Sequence, residues 1–249
     1  MAKILILAET GFGKTSSLIK DEELGIEGIS PKDSYIITVT NKRLPGGKQS
    51  IDAFPTLPKE LTTTGIGKDH LAPYRRIITN NPVVVAHMIT LLGQVPPINN
   101  IILDDANYLM QDYYMAKALA TGWDAPKRIG YDMGLVFNAM YNLPEEKNFI
   151  MMAHGEEYDK ADGRKGYRMK TTGKMTQEYI TPEGKFEIVL IGRSRYDEGE
   201  KKAIKELVTN DDGVYSSAKS QHVFPSLYIT NDMGYIVKKV NEYYNGVTH

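Results

Sequence analysis

The segment Ala8-Glu9-Thr10-Gly11-Phe12-Gly13-Lys14-Thr15 places a lysine and a hydroxyl behind two glycines. This is the A-x-x-x-x-G-K-T form of a Walker A loop, with Ala8 at the position of the first glycine. Such a spacing suits a polyphosphate. Glycines let backbone N–H groups turn inward around phosphate oxygens, and a helix N-terminus behind them adds its dipole. Lys14 would reach the β- and γ-phosphates, and the Thr15 hydroxyl would ligate Mg²⁺. The cradle would comprise Glu9, Thr10, Gly11, Phe12, Gly13, Lys14, Thr15 and Ser16. The bland alternative is a chance Gly-Lys-Thr in a turn; a strand before the motif and a helix start after it favour the phosphate reading.

Mg²⁺ bound to a nucleotide also needs a carboxylate, held through water. Asp104 ends the apolar run Ile101-Ile102-Leu103 and has the Walker B position. Asp105 follows, where many P-loop ATPases place a glutamate that orients the attacking water; here the side chain is one methylene shorter. Two aspartates at a strand end also commonly cap the next helix or turn. His154 ends a later apolar strand at the same sheet edge, where ligands of open α/β sheets gather. It would sense a γ-phosphate, or else be an ordinary surface histidine.

A third cluster is basic: Lys160, Arg164, Lys165, Arg168, Lys170 and Lys174, with Tyr167 between them and Asp162 as the one acid. Three readings stay open. The loop contacts a nucleic-acid backbone, with Lys160, Arg164, Lys165 and Arg168 on phosphates and Tyr167 stacked on a base. It supplies a cationic finger to a nucleotide on a neighbouring subunit. Or it is a solvated loop. His70, His87 and His222 lack metal-ligand spacing, so no transition metal is expected.

The elements that must position these residues follow from periodicity. Strands are expected at Ile4–Leu7, Tyr35–Val39, Arg76–Thr79, Ile101–Asp105 and Phe149–Ala153. A helix is expected to start at Ser16–Ile19. Others should open at Asn81-Pro82, run over about 107–120 and 130–143, and start at Asn231-Asp232, burying Ile236, Val237, Val240 and Tyr244. Residues 43–74 read as an irregular insertion broken by Pro45, Pro55 and Pro58. Residues 155–185 read as a polar, glycine-rich basic loop. Phe186–Gly192 and Ile204–Thr209 read as antiparallel strands joined to a turn at Asp211-Asp212-Gly213. The alternation gives an α/β class, a mostly parallel sheet with helices on both faces and antiparallel C-terminal strands, in one domain over 1–249.

Composition narrows the chemistry. The 249 residues are 41% hydrophobic and 24% charged, which excludes a disordered or collagen-like chain. Cysteine is absent, so disulfides, thiol nucleophiles and thiolate-held metals are excluded. No apolar run approaches a membrane span, and the start is too soon acidic for a signal peptide, so a cytoplasmic location is expected. The net charge of −1 means that any nucleic-acid contact must be local. Tyrosines outnumber phenylalanines 16 to 6, which half-buried helix faces explain without a functional role.

The chain resembles the small phage-encoded RecA-like ATPases, including the Sak-four type of recombination and single-strand-annealing protein. The resemblance is carried by Gly11–Thr15, Asn41-Lys42-Arg43-Leu44-Pro45 and Asn99–Asp105. Three later stretches add to it: Lys170-Thr171-Thr172-Gly173-Lys174, Ser217-Ala218-Lys219-Ser220 and Leu227–Asp232. It implies a RecA-like core using ATP and Mg²⁺, assembly into a homo-oligomeric ring or filament, and single-stranded DNA as partner. A single-strand-binding protein would be a further partner, and the host cytoplasm the location. Lys170 or Lys174 would be the lysine finger donated across a subunit interface. RecA-like enzymes carry a catalytic glutamate after an earlier strand; here Thr40, Asn41 and Lys42 follow Val39, which implies slow hydrolysis or dependence on Asp105. With strand one beginning at Ile4, the N-terminal tether of RecA proper is not expected. The competing functions are a nucleotide or small-molecule kinase with 160–174 as lid, and an assembly ATPase of the helicase-loader kind.

Overall fold

The computed structural model describes residues 2–62, 66–117, 124–160, 165–172, 181–199 and 201–246. Among these residues nine strands form the sheet: β1 (Lys3–Ala8), β2 (Ser34–Thr38), β3 (Arg76–Ile78), β4 (Asn100–Asp104), β5 (Asn148–Asp159), β6 (Lys165–Met169), β7 (Ile188–Asp197), β8 (Lys202–Val208) and β9 (Tyr228–Thr230). Their order is β3-β2-β4-β5-β1-β7-β8-β9, with β6 paired to β5. The five strands from β3 to β1 are parallel, as is β7 against β1. β8 and β9 close the far edge antiparallel.

Both sheet faces are buried, so the strands read as continuous apolar runs. Leu5, Leu7, Ile101 and Leu103 point to one core with Met88, Val136 and Phe137. Ile4, Ile6, Ile102 and Met152 point to the other with Leu18, Phe54 and Ile236. The first core is covered by α2 (Pro82–Gly93), α3 (Asn107–Lys117) and α4 (Asp124–Tyr141). The second is covered by α5 (Met233–Tyr244), with α1 (Gly47–Ala53) contributing its edge. Asn81 and Asp232 cap α2 and α5 by accepting from the N–H groups of Val83 and Gly234. The architecture is a RecA-like P-loop α/β sheet: the strand that feeds the glycine loop and the strand that ends in the aspartates flank one intervening strand, β5.

Four local expectations are corrected. No helix follows Lys14-Thr15; the chain makes only a three-residue 3₁₀ turn, Ser16–Leu18. Asp21 and Ile26 then exchange backbone hydrogen bonds at 2.9 and 2.8 Å, and Asp21 Oδ1 accepts from the N–H groups of Glu23 and Leu24. An aspartate offering local acceptors competes with helix propagation. Gly28, at φ +65°, lets the chain return against Leu18; a Cβ there would lie 2.5 Å from the Lys20 nitrogen.

Second, β5 does not stop at His154. It leaves the parallel sheet and pairs antiparallel with β6, from Gly155 opposite Met169 to Asp159 opposite Lys165. The first part of the expected basic loop, 155–159 and 165–169, is therefore a strand pair. Third, residues 43–74 contain α1 and short 3₁₀ turns. Fourth, Ile236 and Val240 are buried on α5 as expected, whereas Tyr244 is exposed.

Candidate nucleotide site

The loop after β1 emerges at the carboxyl edge of the sheet. Gly11 and Gly13 adopt φ of +80° and +96°, which side-chain-bearing residues rarely adopt. Such φ values let consecutive loop N–H groups turn to one side, the geometry from which backbone anion cradles are built. Lys14, only 6% exposed, folds over it and donates to the carbonyls of Ala8 at 2.9 Å and Glu9 at 3.1 Å. Burial lowers its pKa to about 8 against the pull of Asp105 and Asp104. Phe12 anchors the loop, packed against the backbone of Gly192 on β7. With no helix behind Ser16, any phosphate would be held by loop N–H groups and Lys14 rather than by a macrodipole.

The Thr15 hydroxyl donates to Asp104 Oδ2 at 2.9 Å. Asp104 Oδ1 is buried and has no hydrogen-bond partner among the described residues. Burial and the Asp105 carboxylate beside it raise the pKa of Asp104 to about 6. A hydroxyl beside a carboxylate with one unsatisfied oxygen fits a hydrated Mg²⁺, which keeps several waters and takes few protein ligands. No group of three or more acidic, His or Cys side chains among the described residues offers an all-protein metal cage. Thr15 and Asp104 would hold the ion, which supplies charge neutralisation to a phosphate chain.

Asp105 is a non-glycine residue in the left-handed region, φ 61°. Its Oδ2 accepts from the Thr40 hydroxyl at 2.8 Å and from Lys42 Nζ at 3.0 Å. Its Oδ1 lies 3.8 Å from His154 Nε2. His154 Nδ1 lies 3.3 Å from Lys14 Nζ and 3.4 Å from the Thr10 hydroxyl. An ammonium can only donate, so Nδ1 accepts and the neutral ring carries its proton on Nε2, toward Asp105. Burial, and then the charge of Lys14, lower the His154 pKa and keep the ring neutral. Tyr108 meets the ring edge-on at 5.8 Å.

The structure thus brings Lys14, Thr15, Asp104, Asp105 and His154 together. The basic residues are placed differently. Lys170 continues from β6 beside the site; its N–H donates to the His154 carbonyl at 2.8 Å, and its side chain is exposed. Arg168 pairs with Glu156 at 3.1 Å and lies 4.6 Å over the Tyr158 ring. Lys160 donates to the Ser216 hydroxyl. Lys165 belongs to β6 by its backbone. Arg164 and Lys174 lie outside the described residues. The expectation that Tyr167 stacks on a base is corrected: the side chain is 5% exposed, its ring lies against Gly155, and Tyr215 meets it edge-on at 5.6 Å.

Sequence reading missed five contributors. Thr40 and Lys42 engage Asp105, as above. Asn107 clamps the bend of β5, accepting from the His154 N–H and donating to the carbonyls of His154 and Lys170. Asn231 donates to the Gly13 carbonyl at 3.1 Å, and Lys205 to the Gly11 carbonyl at 2.6 Å. Lys42 and Asn231 stand in stretches that carried the family resemblance; nothing in the sequence pointed to Lys205.

No protein-family model matches the chain, and no curated protein matches it. Among solved structures it is similar to the KaiC-like protein PH0186 from the hyperthermophilic archaeon Pyrococcus horikoshii OT3. The identity is 9% and the TM-score 0.41, over 83% of this chain and 77% of that one. The RecA-like fold follows from the strand order and the loop geometry above.

Proposed function

We propose that the protein binds Mg²⁺–ATP in the loop after β1 and hydrolyses it. The observation that carries this reading is the junction of Thr15 with Asp104, beside a positive-φ glycine loop closed by Lys14. Lys14 exchanges the carbonyls of Ala8 and Glu9 for phosphate oxygens, a stronger charge-assisted pairing. Thr15 and Asp104 hold the hydrated ion. Asp105 orients the attacking water, and the neutral His154, hydrogen-bonded to Lys14, reports the terminal phosphate. Nucleotide binding to wild type and to Lys14→Ala, with and without Mg²⁺, tests this; equal binding by both proteins would overturn it.

The finer reading is an oligomeric, cytoplasmic ATPase acting on single-stranded DNA in phage recombination or replication. What supports it is position: the β5–β6 hairpin rises directly from His154 and carries Lys160, Arg168 and Lys170. No helix among the described residues is long and apolar enough to cross a membrane. The test compares ATP turnover with and without single-stranded DNA in wild type, Lys170→Ala and Lys174→Ala, together with the mass of the assembly. Absence of DNA binding in every nucleotide state would sink it.

One observation favours a second reading, a kinase. A pocket of about 550 Å³ opens at the ends of β2 and β3, with Thr40, Asn41, Thr79 and Asp112 over a floor of Val39, Leu57 and Ile78. It adjoins Asp105 through Thr40 and has room for a phosphate acceptor. ATP consumption that requires a small acceptor, in a monomer indifferent to DNA, would establish that reading instead.

A further inference from the structure

Asp105 Oδ2, the oxygen nearest the turn after β2, already has two donors, Thr40 and Lys42. The two partners of the ion pair sit in different environments. The Asp105 side chain is 7% exposed, whereas that of Lys42 is 62% exposed. The backbone of Lys42 is nevertheless fixed. Its N–H donates to the Thr40 carbonyl at 2.8 Å, and its carbonyl accepts from Arg76 Nη2 at 2.6 Å. Arg76 is buried and also donates through Nε to the Thr38 hydroxyl at 3.0 Å. Lys42 therefore has a pinned root and a solvent-exposed head held by Asp105 alone among the side-chain hydrogen bonds of the described residues. The Tyr108 ring lies 5.2 Å from Nζ and flanks the path on which the ammonium sits. The field of Lys42 extends over the rest of the site, acting on Lys14, Asp104 and His154.

An ammonium that is 62% exposed is screened by water and adds little to folding even against a buried partner. The Thr40 hydroxyl already satisfies the same Asp105 oxygen, so structural need does not explain why a lysine is held here. A terminal phosphate does. It carries more charge than a single carboxylate and presents several strong acceptor oxygens, and it would enter between Lys14 and the two aspartates. There it repels Asp105 unless a cation stands between them. Lys42 can reach that position by moving its head alone.

Resting on the nucleotide reading above, we infer that Lys42 is a second phosphate-binding cation, supplied from the same chain, which a terminal phosphate draws off Asp105. Two consequences follow. Lys42 distinguishes a triphosphate from a diphosphate, because only the former reaches it. Asp105 Oδ2 is released to accept a hydrogen bond from water only when that phosphate is present, which couples activation of the water to correct loading.

The test is binding of Mg²⁺–ADP and of a slowly hydrolysed Mg²⁺–ATP analogue to full-length wild type, Lys42→Met and Lys42→Arg. Losing one charge-assisted contact should weaken the analogue by about tenfold or more in Lys42→Met. ADP affinity should stay within about twofold, and Lys42→Arg should recover most of the loss. Equal losses for both nucleotides, or no loss for the analogue, would overturn the assignment. Melting of the nucleotide-free variants separates misfolding from lost contact: Lys42→Met should melt with wild type, and a large drop would mark the lysine as structural. If wild type binds neither nucleotide, the site reading itself falls and the Lys42 role with it.

Discussion

Thr15 Oγ1 donates to Asp104 Oδ2 at 2.9 Å, tying the loop after β1 to the end of β4 across the intervening β5. The bond uses one carboxylate oxygen and leaves the other buried and unpartnered. A carboxylate in that state is costly until a cation arrives, so function and stability are opposed at this residue.

That opposition is measurable with Asp104→Asn. The folded-state pKa of Asp104 is raised from 3.8 to about 6. A raised carboxyl favours folding fully below about pH 3.8, and this contribution is lost as pH rises through about 6. Asparagine has no charge to bury. Without Mg²⁺, Asp104→Asn should therefore exceed wild type by roughly 1–3 kcal/mol at pH 7.5 and converge with it near pH 4. Denaturant melts across that range check the sign. Adding Mg²⁺–ATP should stabilise wild type and leave the variant unmoved.

Lys14 sets the pH limit of nucleotide binding. With its pKa near 8, the ammonium begins to lose its proton just above neutrality. Phosphate favours the charged form, so binding takes up a proton once the free lysine has lost it. Affinity should fall by up to about tenfold per unit above pH 8. Mg²⁺-dependent affinity should fall again below about pH 6, where Asp104 takes a proton that the ion must displace. Titration calorimetry in two buffers of different ionisation enthalpy should show net proton uptake at pH 8.5 that shrinks toward pH 7.

Gly192 supports the loop from behind. A Cβ there would meet Ala8 Cβ at 2.5 Å and the Phe12 ring at 2.8 Å, and Ala8 lies on β1, where it cannot yield. Gly192→Ala should cost about 1–3 kcal/mol through overpacking. By moving Phe12 it should also weaken ATP by an amount that Phe12→Leu in the Gly192→Ala background partly restores. Equilibrium melts and nucleotide titrations of the two proteins decide this.

The sheet and the chemistry-bearing ends of its strands were legible because both-face burial writes strands as unbroken apolar runs, as in Ile4–Leu7 and Ile101–Leu103. Asp104 was legible for the same reason, since it sits where such a run stops, and Lys14 and Thr15 were legible from the A-x-x-x-x-G-K-T spacing that follows Ile4–Leu7. The helix after the loop was misread: Leu18-Ile19 resembles a helical start, and the Asp21 turn that ends it depends on contacts with Ile26. Continuation of β5 past His154 was hidden because Gly155, Glu156 and Glu157 carry no strand pattern; pairing with β6 and the Asn107 clamp hold it there. Lys42, Arg76 and Lys205 act through distant backbone or side-chain partners, which no local pattern reports.

Asp105 combines two properties that one substitution series can separate. Its φ of 61° is strained for a residue with a Cβ, though aspartate and asparagine tolerate it better than alanine does. Its carboxylate also takes the hydrogen bonds of Thr40 and Lys42. Asp105→Gly relieves the backbone and removes the carboxylate, Asp105→Asn keeps the shape and removes the charge, and Asp105→Ala loses both advantages. If the left-handed turn is what matters, Gly and Asn should melt close to wild type and Ala about 1–2 kcal/mol lower, with turnover following stability. If the carboxylate orients water, all three should lose roughly 100-fold or more in ATP turnover while Gly and Asn still bind nucleotide with Mg²⁺. We expect the second pattern, because Asp105 Oδ1 and His154 Nε2 face each other across 3.8 Å at the mouth of the loop. A carboxylate serving only the turn would have no reason to present its second oxygen there.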